Sequence, residues 1–149
     1  MASPLARKHG PMTDERTFRA RVRGPVLDCS DAIELAEFYS GLLDWPIVDQ
    51  ASGGTRDQHP GPSWAQIRSP DGLSKLEFQG LWDYRRPVWP NAEGEQQMMV
   101  HLDIVASDPS ALAWCLAHGA VEADHQPSAA FKVLLDPAGH PFCLGGGPV

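Results

Sequence analysis

The chain lacks the features that would carry it into a membrane or hold it together by crosslinks. Its 149 residues contain no apolar run near the roughly 18 residues of a bilayer span. Its first 23 residues have no apolar core of the kind a secretory leader carries, so a cytoplasmic location is expected. Three cysteines, Cys29, Cys115 and Cys143, are too few and too scattered for a disulfide framework. No Cys-x-x-Cys pair exists, and reduced, mostly buried thiols are the simplest reading. Basic charge is scarce beyond the N-terminus: residues 24–149 hold six of the twelve Lys and Arg against seventeen of the nineteen Asp and Glu. Such an acidic body disfavours nucleic acid, whose phosphates need a basic surface. There is no phosphate-cradling glycine loop, nucleophile elbow or His-Glu-x-x-His helix. Gly145-Gly146-Gly147 ends the chain and precedes no helix, so it is no nucleotide cradle.

What the chain does have is an internal repeat. Residues 1–16 read as a disordered tail rich in Pro, Ser, Gly and charge, with Met12 as an alternative start. A single domain is expected over 17–149. Its first unit runs from about 17 to 79, an aromatic linker covers 80–97, and a second unit occupies about 98–147. An extended run over Thr17–Leu27, ending in Val22–Leu27 with Gly24-Pro25 inside it, precedes a helix capped by Ser30 or Asp31. Leu35, Phe38, Tyr39 and Leu42 share one face of that helix, and Trp45-Pro46 ends it. Ile47-Val48 starts a strand, Asp49–Ser63 reads as a loop, and Trp64–Arg68 and Leu73–Gln79 are strands around Ser69-Pro70-Asp71-Gly72.

The second unit repeats this order. Met98–Val105 reads as a strand. Asp108 caps a helix with Pro109 at its first position, Leu112, Cys115 and Leu116 face inward, and Gly119 stops it. Val121–Ala123, Phe131–Asp136 and Pro141–Leu144 are the remaining strands, the last two hinged on Asp136-Pro137-Ala138-Gly139. Trp82, Tyr84 and Trp89 in the linker either pack onto the body or line a ligand site.

Several stretches carry a resemblance: LDCSDAIELAEFYSGLLDW, SPDGLSKLEFQ, the PVWPNAEGEQQM linker running into VHLDIVASD, and DPAGHPFCLGG. Together they resemble the vicinal oxygen chelate superfamily, and more narrowly its bacterial glyoxalase-like and bleomycin-resistance-like domains, over about residues 20–147. The resemblance implies an α+β fold of two tandem βαβββ units. These form one curved mixed sheet, as in the glyoxalase/bleomycin resistance/dihydroxybiphenyl dioxygenase fold, with helices outside and a ligand in the cup. It also implies that metal-bearing members take four ligands, two from each unit, on the first and last strands.

Strand alternation sets Met99, His101, Asp103 and Val105 on one face and Val100, Leu102 and Ile104 on the helix-covered face. His101 falls at the first-strand ligand position of the second unit, and Asp103 could orient it. Leu76 and Phe78 face the core, which turns Lys75, Glu77 and Gln79 the other way. Glu77 matches the carboxylate ligand and the proton-moving group. Its plainer reading is a solvated carboxylate paired with Lys75 or another residue of the cup. The other two positions fail, because Gly24 has no side chain and Cys143 stands where a Glu is usual. A thiolate suits a soft metal but cannot act as the carboxylate base. His118 and His140 read as helix-end and turn residues, and His59 and His125 as loop residues.

Two functions follow. One is a lyase or isomerase using a divalent ion (Zn, Ni, Mn or Fe) on His101 and Glu77. The other is a metal-free binder of small molecules or antibiotics, with Trp64, Trp82 and Trp89 as stacking surface and Asp103, Gln79 and Cys143 lining the site. A small-molecule ligand, and neither nucleic acid nor membrane, is the expected partner. A homodimer, as in relatives, is compatible with an apolar edge or helix face.

Overall fold

The computed structural model describes residues 21–54 and 62–148. The tail over 1–16, the start of the first extended run at Thr17, and His59 lie outside the described residues. Ten elements follow in two similar series. The first is β1 (Val26–Cys29), α1 (Ala32–Leu43), β2 (Ile47–Ala51), β3 (Trp64–Arg68) and β4 (Lys75–Gly80). The second is β5 (Leu102–Ala106), α2 (Ser110–Ala117), β6 (Val121–Glu122), β7 (Phe131–Leu135) and β8 (Pro141–Gly146). Their sheets have the same topology, β1-β4-β3-β2 and β5-β8-β7-β6. In each the first pair is parallel and the others antiparallel. The α+β pair of βαβββ units is therefore present, and hydrogen bonding divides its strands into two four-stranded halves. No described helix is long and apolar enough to cross a membrane.

Local chemistry sets the element ends. Asp31 Oδ1 accepts from the amides of Ile33 and Glu34 at 2.9 and 3.4 Å, which starts α1. Asp44, at φ 54, closes α1 before Trp45-Pro46 can continue it. For α2 the cap position is Pro109, which has no side-chain acceptor to offer, and not Asp108 as expected; Asp108, one residue earlier, accepts from Ser110 N through Oδ1 at 2.8 Å. The first strand is shorter and later than Val22–Leu27. Pro25 has no amide to give, so pairing begins with its carbonyl, which accepts from Glu77 N at 3.1 Å. Likewise β5 starts at Leu102, opposite Phe142, and not at Met98. Val100 consequently lies outside the strand and is exposed. The loop expected from Asp49 begins later, because β2 pairs with β3 out to Ala51.

The two units share one core, and α1 is its centre. Phe38 and Tyr39 pack edge-on against Phe142 of the second unit, with ring centroids 6.0 and 6.2 Å away, while Tyr39 stacks on Phe78 of the first at 5.7 Å. Each such buried side chain contributes about 1.5–3 kcal/mol. Helix α2 turns Ala111, Leu112, Trp114 and Cys115 to the body and leaves Leu116 exposed, contrary to the inward placing of Leu116. Packing of Trp114 on Phe38 of α1, 5.8 Å between centroids, accounts for that rotation.

Polar bonds tie the units as well. The fully buried Asp136 accepts from Tyr39 Oη (Oδ2, 2.9 Å) and from the His140 amide (Oδ1, 2.9 Å). His140 Nε2 lies 2.6 Å from the carbonyl of Asp28 on β1. Burial pushes the Asp136 carboxyl above its ordinary value, partly opposed by His140 and the hydrogen bonds.

Candidate functional site

The predicted site residues fall into two groups on the two sheets. On the first sheet, antiparallel pairing sets Trp64 opposite Gln79, Gln66 opposite Glu77 and Arg68 opposite Lys75. All six side chains share the face away from Leu76 and Phe78. Glu77 is not free there. Lys75 Nζ forms an ion pair with its Oε1, and the two side chains are only 6% and 14% exposed. Gln66 lies against the same carboxylate. With its amide turned to satisfy both ends, it donates to Glu77 Oε1 at 3.0 Å and accepts from Arg68 at 3.2 Å. A buried ammonium thus sits on the carboxylate that the family resemblance makes a metal ligand.

Gly24 reinforces this. Its φ is +146°, and a Cβ there would lie 2.6 Å from the Lys75 carbonyl oxygen and 3.0 Å from Lys75 Cγ. No L side chain fits without displacing backbone. The position where a first-unit ligand would stand is closed by the same lysine that neutralises Glu77. A four-ligand centre drawn equally from both units therefore does not fit this chain.

On the second sheet the parallel β5–β8 register sets Asp103 directly beside Cys143, and β7 sets Val133 on the other side of Cys143. His101, two residues before Asp103, returns to the same face just ahead of the strand. The ligating atoms of His101, Asp103 and Cys143 all lie within 4.8 Å of one another. No other group of three His, Cys, Asp or Glu comes together this way among the described residues, and Glu77 is outside it. His101 Nε2 is 3.5 Å from Asp103 Oδ1, with side chains 44% and 78% exposed. Partial burial, then the adjacent Asp103 carboxylate, raise the Cys143 thiol above its ordinary pKa.

Beside this cluster lies an apolar cavity of about 150 Å³. His101 and Cys143 form one wall, and Trp89, Met98, Phe131 and Val133 form much of the rest. The linker supplies the roof: Trp89 Nε1 donates to the His125 carbonyl at 3.2 Å, which fixes the indole over the second sheet. Trp82 is elsewhere, its Nε1 donating to the Gly54 carbonyl at 3.2 Å. Trp64 stays with the first sheet. The structure therefore brings together Trp89, His101, Asp103 and Cys143, and separates them from the Lys75–Glu77 pair. Met98, Phe131 and Val133 are cavity walls that sequence reasoning missed. The signal was available, since pairing β7 with β8 puts Val133 on the face of Cys143 and Phe131 two residues along it.

A second cavity, of about 280 Å³, runs between β1 and the linker, bordered by Val26, Asp28, Tyr84, Met99 and His140. Two of its polar walls join the units: Tyr84 Oη donates to the Ala138 carbonyl at 2.9 Å, and His140 Nε2 reaches the Asp28 carbonyl. Asp83, Arg85, Gln96 and Gln97 also line it, so it is the more polar of the two cavities.

Comparison with known proteins accords with this fold. A sequence comparison with curated proteins returns no match. Among solved structures the chain is similar to a glyoxalase family protein from Enterococcus faecalis: 16% identity over 84% of this chain and 96% of that one, TM-score 0.56. It is also similar to a fosfomycin resistance protein from Listeria monocytogenes complexed with Mn(II), at 12% identity over 89% and 96% of the two chains, TM-score 0.59. An antibiotic binding protein from Streptomyces sp. CB03234 is 13% identical over 89% and 100%, TM-score 0.53. At these identities the likeness is one of fold. The profile of the glyoxalase-like domain matches residues 25–145, most of the chain. With its paired βαβββ units and shared core, the chain belongs to the glyoxalase-like domain family of the vicinal oxygen chelate superfamily.

Proposed function

We propose that this protein binds a small molecule through a flat aromatic ring held in the cavity beneath Trp89. The observation that carries this reading is the cavity itself, with aromatic and aliphatic walls and only His101 and Cys143 as polar points. A void of about 150 Å³ with apolar walls takes roughly one benzene-sized ring. The rest of the ligand would lie at the mouth, where Asp103 is exposed. An acidic rim on an acidic body favours a cationic or hydrogen-bond-donating substituent. Fold neighbours include an antibiotic binding protein, which is consistent with a sequestering role and leaves the ligand unnamed.

The competing reading, a metal-assisted lyase or isomerase, needs Glu77 as ligand and proton carrier. The Lys75 ammonium on that carboxylate argues against it. The test is a thermal-shift screen of amine-bearing aromatic compounds, followed by calorimetry on the hits. Saturable one-to-one binding that Trp89→Ala weakens by about 1 kcal/mol or more, and that Trp82→Ala leaves intact, is expected. Equal losses in the two variants would remove the cavity from the function.

A further inference from the structure

We propose that the cation site of this chain has moved wholly into the second unit, where His101, Asp103 and Cys143 together hold one zinc-class divalent ion. Two separate observations lead there. The first unit has given up both of its positions: Lys75 closes the space beside Gly24 and places its ammonium on Glu77. A metal at Glu77 would have to displace a buried ammonium, at the cost of leaving that charge without its partner.

The second unit has instead gathered three donors on neighbouring strands. Asp103 and Cys143 are register partners on β5 and β8, and His101 precedes Asp103 by two residues on the same face. The 3.5 Å between His101 Nε2 and Asp103 Oδ1 is close to the separation of two ligands on one tetrahedral ion, about 3.3 Å for bonds of about 2.0 Å. Exposed side chains of His101 and Asp103 can turn to close the remaining distance to sulphur. No lysine or arginine lines the cavity beside these donors, in contrast to the first sheet.

Donor chemistry selects the ion. One imidazole, one carboxylate and one thiolate suit Zn²⁺, Co²⁺ or Fe²⁺ and serve Mg²⁺ and Ca²⁺ poorly. Three protein donors also leave coordination open to solvent or to a ligand entering the cavity. The inference does not rest on ligand binding, because the donors converge without any small molecule. The acidic rim at Asp103 describes the ion-free chain, and a bound ion would turn the preference of the mouth from a cationic substituent to a metal-ligating one.

The test is a Co²⁺ titration of the full chain, purified without chelator or affinity metal, followed by absorption and by Zn²⁺ competition. One equivalent should bind, with a thiolate-to-cobalt charge-transfer band that Zn²⁺ abolishes. Cys143→Ser should lose the band, and His101→Ala should weaken binding by about tenfold or more. Glu77→Gln should change neither. Absence of saturable cobalt binding, or cobalt bound without a thiolate band in the wild type, overturns the proposal. So does binding that survives Cys143→Ser unchanged and disappears in Glu77→Gln. Since no small molecule is present, a negative result leaves the cavity reading standing.

Discussion

Tyr39→Phe deletes one hydroxyl and tests how the two halves are joined. That hydroxyl donates to Asp136 Oδ2 at 2.9 Å inside the shared core, where Asp136 is fully buried. Its loss leaves the carboxylate with backbone amides alone, that of His140 at 2.9 Å and that of Gly139. A hydrogen bond to a charged group is worth about 1.5–3 kcal/mol, and one to a neutral group about 1. The expected loss is thus about 2 kcal/mol when Asp136 is ionised and about half that when it is protonated. In a chain of this size 2 kcal/mol lowers Tm by roughly 4–8 °C.

The pH dependence has a definite sign. Burial raises the folded pKa of Asp136 above 3.8. Folding therefore favours its protonated form, a contribution present below 3.8 and lost as pH rises through the raised folded value. The Tyr39 hydroxyl relieves part of that loss by bonding the ionised form. The difference between wild type and Tyr39→Phe in urea unfolding should therefore widen as pH rises from 3.8 towards neutrality, and Asp136→Asn should flatten the profile of both. A loss equal at every pH, or one below about 0.5 kcal/mol throughout, would refute the assignment of this bond as charge-assisted.

Lys75→Met should destabilise by about 3 kcal/mol, because it strands Glu77 in a nearly closed site. Lys75→Met with Glu77→Leu should recover most of that loss in chemical denaturation. If the single variant is as stable as wild type, Lys75 is not the cation that occupies this position.

The repeat and its hinges were legible because they depend on local chemistry. Asp31 caps as its position suggests, Asp108 bonds the Ser110 amide from one residue before the Pro109 cap, and strand alternation correctly turned Leu76 and Phe78 inward. The site was legible one strand at a time. His101, Asp103 and Cys143 could each be put on the cup face, but their proximity depends on the parallel register of β5 with β8, which is a non-local pairing. Glu77 shows the converse. Its face was readable, and the plainer of its two readings named Lys75 among its partners but left the carboxylate solvated, whereas its side chain is only 14% exposed. The structure adds the Lys75 ion pair and the closeness of Gly24 to Lys75, a contact across 51 positions that no local pattern encodes. Leu116 was misplaced because helical periodicity fixes which residues share a face, whereas Trp114 on α1 fixes which face turns inward.

The claim that a ligand ring enters the second-unit cavity is tested most directly by an amide chemical-shift map of the isotope-labelled chain titrated with a binding aromatic amine. Saturating shifts are predicted at Met98, His101, Phe131, Val133 and Cys143, which surround the cavity. Shifts centred instead on Val26, Asp28 and Tyr84, with Val133 and Cys143 unmoved, would place the ligand in the cleft along β1 and contradict the account.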